Sequence, residues 1–165
     1  MNNLIGVMLE EPDGSLFTIE QIKAWGAIDG TAMDEMIQEA IDGMVDLAQE
    51  ELNISILPRT VQATYESTIG VVSPPYGPII EIESVKDLSG DDMGYRMVGD
   101  LIYPAKKSGC VITYQAGHET PPKGIEQALK QAILTAINDR EDNALGGVSR
   151  IPTSSRRKLM KYRRY

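Results

Sequence analysis

Between Thr31 and Leu52 apolar residues recur at steps of one, three and four: Met36, Ile37, Ala40, Ile41, Met44, Val45, Ala48 and Leu52. That spacing gathers them on one face of a 3.6-residue helix. Glu35, Glu39, Asp42, Asp46 and Glu50 fall on the opposite face. Thr31 stands at the N-cap position with Asp34 three residues on, and an acidic first turn suits the helix dipole. Gly43 interrupts the run at a cost of about 1 kcal/mol relative to Ala, and suits a position where a neighbouring backbone comes close. The pattern predicts a long amphipathic helix at about 31–52, with the rest of the chain covering its apolar face or presenting that face to a partner.

Shorter patterns flank it. Residues 1–17 read as an irregular leader, with a turn cluster at Pro12-Asp13-Gly14-Ser15. Thr18 and Gln21 form a capping box for a short helix at about 18–25. Pro58 blocks any continuation of the long helix. Residues 60–67 alternate, with Val61, Ala63 and Tyr65 on one side, as a half-buried strand does. Residues 79–88 predict a second strand with Ile80, Ile82 and Ser84 facing together. Short strands are expected at 95–98 and 101–103 around Gly99-Asp100, and a stronger one at 110–115 with Cys110, Ile112 and Tyr114 on one side. Pro121-Pro122 pre-sets a last helix at about 123–139. Its row of Ala128, Ala132 and Ala136 leaves room for the 31–52 helix to approach.

These elements predict an α+β fold, a helical subdomain packed with a small antiparallel sheet. The divisions expected are a leader (1–17), a main domain (18–147) and a flexible basic tail (148–165). Asn143 to Gly147 reads as a flexible break. Pro152 and Thr153-Ser154-Ser155 argue against a continuous helix in the tail, which is expected to be disordered when alone.

Charge changes this picture more than composition does. The net charge is −8 over 165 residues, which disfavours a general nucleic-acid binder. Yet seven of the 16 basic residues and none of the 24 acidic ones lie from Val148 onward, so an acidic body carries a basic tail. One cysteine, Cys110, excludes an internal disulfide. Leu4 to Leu9 is too short for a signal peptide core, and no stretch has the length to span a membrane. A soluble protein made in a cytosol is expected.

Candidate chemistry is sparse. His118, beside Glu119, is the single histidine and reads as a surface residue. Cys110 reads as buried and inert. No spacing resembles a zinc site or a phosphate-binding loop. The segment from Asp87 to Asp92 lacks the register and the final Glu of a calcium loop and reads as a turn. No catalytic, cofactor or metal residue is assigned, and an enzyme acting through His118 and Glu119 is the weakest reading.

The order of the elements carries a resemblance. Residues 17–60, FTIEQIKAWGAIDGTAMDEMIQEAIDGMVDLAQEELNISILPRT, resemble the N-terminal half of the head–tail connector (adaptor) proteins of long-tailed bacteriophages: a short helix, a long helix, then an "LxPRT"-like exit into a strand. PPYGPIIEIESVKDL (74–88) resembles that family's Pro-rich lead-in to a strand. ITYQAGHETPPKGIEQALKQAILTAI (112–137) resembles its strand, loop and helix. Each motif is short, and their order and spacing make the match specific. The leader, the basic tail, Gly26 and Gly43 depart from the family pattern.

The resemblance implies a non-enzymatic virion protein, assembled in the host cytoplasm, that needs no cofactor. Such proteins form a ring, commonly of roughly twelve copies, beneath the portal protein. The ring joins capsid to tail, extends the DNA channel without sequence-specific binding, and offers a surface to a tail-side closure or completion protein. Under this reading the tail residues Arg150, Arg156, Arg157, Lys158, Lys161, Tyr162, Arg163, Arg164 and Tyr165 bind the portal, the arginines as anchors and the tyrosines adding apolar contact. Ala40, Gly43, Met44, Ala128, Ala132 and Ala136 would pack neighbouring subunits. The alternative is a nucleic-acid-binding accessory protein that grips DNA or RNA through the same tail.

Overall fold

The computed structural model describes residues 2–12, 14–142 and 150–163. Along them the chain forms β1 (Asn3–Leu9), α1 (Ile19–Gly26), α2 (Asp34–Leu52), β2 (Arg59–Ser67), β3 (Ile79–Asp87), β4 (Tyr95–Val98), β5 (Leu101–Pro104), β6 (Cys110–Ala116), α3 (Lys123–Asp142) and α4 (Thr153–Leu159), and a final 3-10 turn, Met160–Tyr162. This is an α+β fold. It divides into a sheet unit, residues 1–13 and 54–119, and a helical unit, residues 14–53 and 120–165.

In the sheet unit, four antiparallel strands lie in the order β1-β2-β6-β3, and β4 and β5 form a separate hairpin. Alternation dictates the central pair. Val61, Ala63 and Tyr65 of β2 sit opposite Tyr114, Ile112 and Cys110 of β6, and all six are buried in one cluster with Val72, Val85, Met93, Ile102 and Ala116. The expected inward row of β3 was Ile80, Ile82 and Ser84. Register shifts between Ile79 and Glu81 and between Ile82 and Ser84 change its phase. Val85 is the buried residue, Ile79 and Ile82 pack against the cluster, and Ile80 faces solvent. A bulge adds one residue to a strand and turns the following side chains over, so strict period-two counting fails there.

The irregular leader expected over residues 1–17 is corrected in the same unit: Asn3–Leu9 is the edge strand β1. Its residues from Gly6 to Leu9 pair with Thr64 to Val61 of β2. Its apolar content is high but does not alternate, because a shift near Leu4 breaks the register.

Gly117 fixes the lower end of the sheet. Its N–H donates to the Pro78 carbonyl at 2.9 Å, its φ is +130°, and a Cβ there would overlap the Leu57 carbonyl and the Pro58 nitrogen. Three chain segments converge on a point where only a glycine fits.

In the helical unit, α1 begins with the expected capping box: Thr18 Oγ1 accepts from Gln21 N–H at 3.2 Å, and Gln21 Oε1 accepts from Thr18 N–H at 3.0 Å. Helix α2 starts two residues later than Thr31 suggests. Met33 is its N-cap, with no side-chain hydrogen bond, and Asn53 ends it in the left-handed conformation at φ 54°. Helices α2 and α3 pack against each other. Ile37, Ala40, Ile41, Met44, Ala48 and Leu52 of α2 are buried, as are Ile125, Ala128, Leu129, Ala132, Ile133 and Ile137 of α3.

Candidate functional site

The basic segment is the strongest sequence candidate, and part of it folds differently from the expectation. Residues 153–159 form α4, which packs on α3, so the tail is not uniformly irregular. Pro152 occupies the N-cap position at φ −53°, where a fixed φ and a missing N–H suit a helix start. Ile151, Ser155 and Leu159 are buried. Their four-residue spacing is the helical signal that Pro152 and the Ser/Thr run mask in the sequence.

Helix α4 divides the cationic side chains by direction. The Arg156 Nε donates to Glu51 Oε1, an ion pair at the C-terminal turn of α2. Glu50 and Glu51 lie at the negative end of that helix dipole, and α2 has no basic residue in its last turn, so the guanidinium offsets an unfavourable placement. Lys158 Nζ donates to Gln131 Oε1 of α3 at 2.9 Å. Arg157 and Lys161, four residues apart, are exposed, as are Arg150 and Arg163. Tyr162 is half-buried, its hydroxyl lying where a Cβ on Gly124 would sit. Arg164 and Tyr165 lie outside the described residues, as does the break at 143–147.

Thus the site residues expected to act together do so only in part. Arg156 and Lys158 tie α4 to its own helical unit, and Tyr162 packs inward. Arg157 and Lys161 form the outward-facing pair. Arg150 and Arg156 also border a cleft of about 490 Å³ with Leu47, Glu50, Glu51, Ile151 and Thr153. Its charges are mixed, which leaves little net attraction for an ion of either sign.

The six residues expected to pack subunits lie on α2 and α3. Ala40, Met44, Ala128 and Ala132 are fully or almost fully buried within the chain, Ala136 is buried, and Gly43 is half-buried. Helices α2 and α3 pack against each other within one chain, and these residues are buried there except Gly43.

The single histidine and the single cysteine both lie in the sheet unit. Burial lowers the His118 pKa, and its ring is half-buried beside an exposed Glu119. Burial raises the Cys110 pKa, and that thiol is buried at the start of β6. Among the described residues no group of three or more His, Cys, Asp or Glu could hold a metal ion. No described helix is long and apolar enough to cross a membrane.

What sequence reasoning missed is an exposed apolar surface in the sheet unit. Leu4, Ile5, Met8 and Leu9 of β1 are exposed, and so are Tyr95, Met97, Val98 and Leu101 of the hairpin. Isolated exposed hydrophobic residues are ordinary, whereas groups on one element mark contact surfaces. The available signal was a seven-residue run without a charge, Asn3–Leu9, apolar from Leu4 onward.

No protein-family model matches the chain, and neither does any curated protein. Solved structures do. A chain in the neck of an empty gene transfer agent (GTA) particle, computed with C6 symmetry, aligns with TM-score 0.72 and 15% identity over 94% of this chain and 95% of that one. A chain in the virion of a native gene transfer agent particle aligns with TM-score 0.70 and 14% identity over 94% and 95%. A chain in the neck of a native GTA particle, computed with C12 symmetry, aligns with TM-score 0.63 and 13% identity over 94% of each. The chain therefore shares its fold with components of gene transfer agent particles, in line with the fold that residues 17–60, 74–88 and 112–137 led us to expect.

Proposed function

We propose that this chain is a structural component of the neck of a phage-like particle, at the junction of head and tail. The observation that carries the reading is the fold match over 94% of the chain to components of particle necks. The neighbouring necks have sixfold and twelvefold symmetry, which suits a ring of copies built by repeated head-to-tail contacts. Such a ring sits beneath the portal and continues the DNA channel towards a tail-side closure protein. The acidic body, with 24 acidic residues in the chain, repels the phosphate backbone, so DNA passes without being held.

In this reading the basic segment docks on an acidic surface of the portal. Arg157 and Lys161 make the contact, because Arg156 and Lys158 already serve the helical unit. Co-sedimentation with the portal encoded in the same genome tests this. Saturable binding near one copy per portal subunit is expected, weakened by a double substitution Arg157→Glu and Lys161→Glu. Truncation at Gly147 is a poorer test because it also removes the buried Ile151 and Leu159. Equal binding by the wild type and the double variant would refute the docking role of the tail. Duplex DNA binding that falls steeply with salt and is lost in the double variant would favour a nucleic-acid-binding accessory protein instead.

A further inference from the structure

The basic segment is held on its own helical unit by charge and by two buried apolar side chains, Ile151 and Leu159. Between Arg150 and Arg163 there are six basic residues and no acidic one. Helix α2 is the reverse, with seven Asp or Glu and no Lys or Arg between Asp34 and Leu52. The two meet at Arg156 and Glu51, at the negative end of the α2 dipole. Lys158 bonds Gln131, and the Tyr162 hydroxyl approaches Gly124 at the start of α3. Three side chains suited to an outside partner are thereby turned onto the chain itself.

The docking is weak by construction. Helix α4 has seven residues and no side-chain cap, too short to persist alone, so releasing it also melts it. Between the buried Ile151 and Leu159, Ser155 is 0% exposed and its hydroxyl has no hydrogen-bond partner among the described residues. That hydroxyl opposes docking, because water satisfies it on release. The ion pair offsets little of this. The Arg156 side chain is 58% exposed, and salt screens such a pair.

We infer that α4 and the turn after it form a latch, docked on α2 and α3 in the free chain and released when a carboxylate-rich protein surface competes with Glu51 for the segment's cations. Arg157 and Lys161 are exposed while the latch is closed and make the first contact. Release adds Arg156 and Lys158. The apparent affinity for such a partner falls with the fraction of chain that is released. The inference deepens the docking role proposed above and rests on that reading for the identity of the acidic surface.

Amide hydrogen exchange on the full chain, with polyglutamate as the carboxylate-rich probe, tests the latch. Residues 153–162 should exchange about tenfold or more faster than the centre of α3. They should exchange faster still as NaCl rises from about 50 to about 500 mM, and Glu51→Gln should remove most of that salt response. Ser155→Ala and Leu159→Ala leave every charge in place. Ser155→Ala should slow exchange in α4 by about fivefold and weaken polyglutamate binding, whereas Leu159→Ala should speed exchange and tighten binding. Exchange of α4 in step with α3, no protection of α4 at any salt, or either variant moving exchange or binding in the opposite sense would overturn the inference. The expected shifts in a chain that does not co-sediment with the portal would support the latch and remove the portal as its partner.

Discussion

At Gly117 the backbone decides what the side chain can be. A Gly117→Ala substitution meets both a positive φ and the Leu57 carbonyl, and should cost about 2–4 kcal/mol in urea unfolding. The sequence shows only a glycine after a strand; the three segments that crowd it are brought together by the fold. The Tyr65–Cys110 pair is a second such case. The two residues face each other across β2 and β6, and the buried Tyr65 hydroxyl has no hydrogen-bond partner among the described residues. Tyr65→Phe should therefore be neutral or stabilising by up to about 1 kcal/mol. Burial, with the nearby Cys110 adding to it, raises the Tyr65 pKa, and burial raises that of Cys110. Both folded values exceed the unfolded ones. Their contribution to stability is complete below the unfolded pKa values, about 8.5 for Cys and about 10 for Tyr, and is lost as pH rises above them. Urea midpoints should fall from about pH 9 upward, and less so in Tyr65→Phe. His118 acts in the opposite direction. Its pKa is lowered by burial, so its contribution is present above about pH 6.5 and is lost as pH falls through the folded value.

At the scale of single elements, legibility followed periodicity and capping. The capping box of α1, the apolar face of α2, the alternation of β2 and β6 and the Pro-Pro start of α3 were readable because each signal is local. Thr18→Ala should cost about 1 kcal/mol by removing the reciprocal bonds with Gln21, measured as a drop in urea midpoint. The elements that escaped depend on partners distant in the chain. Strand β1 exists through its pairing with β2 more than fifty residues later, and the bulges of β3 are set by its register with β6. Helix α4 exists because Leu159 and Ile151 are buried in the helical unit. Leu159→Ala should cost about 2–5 kcal/mol if α4 is docked in solution, whereas a free tail would show no change in the melt. Arg156→Ala should cost about 1 kcal/mol or less, because its side chain is 58% exposed and the ion pair is solvent-screened.

For the whole molecule, the fold class and the connector-like resemblance were both legible, because the order of elements survives where sequence identity has fallen to 15%. Surfaces were less legible. The small-residue row that reads as subunit packing is buried within the chain on α2 and α3, and the basic segment that reads as one anchor spends two of its cations on its own unit. The functional account rests on placing the chain at the neck of a particle. Its most direct test is to delete the gene from the genome that encodes it and image the particles by electron cryomicroscopy. The account predicts capsids with a portal that lack the ring beneath it, fail to join tails and are restored by the wild-type chain. Particles with an intact neck and attached tails in the deletion would contradict it.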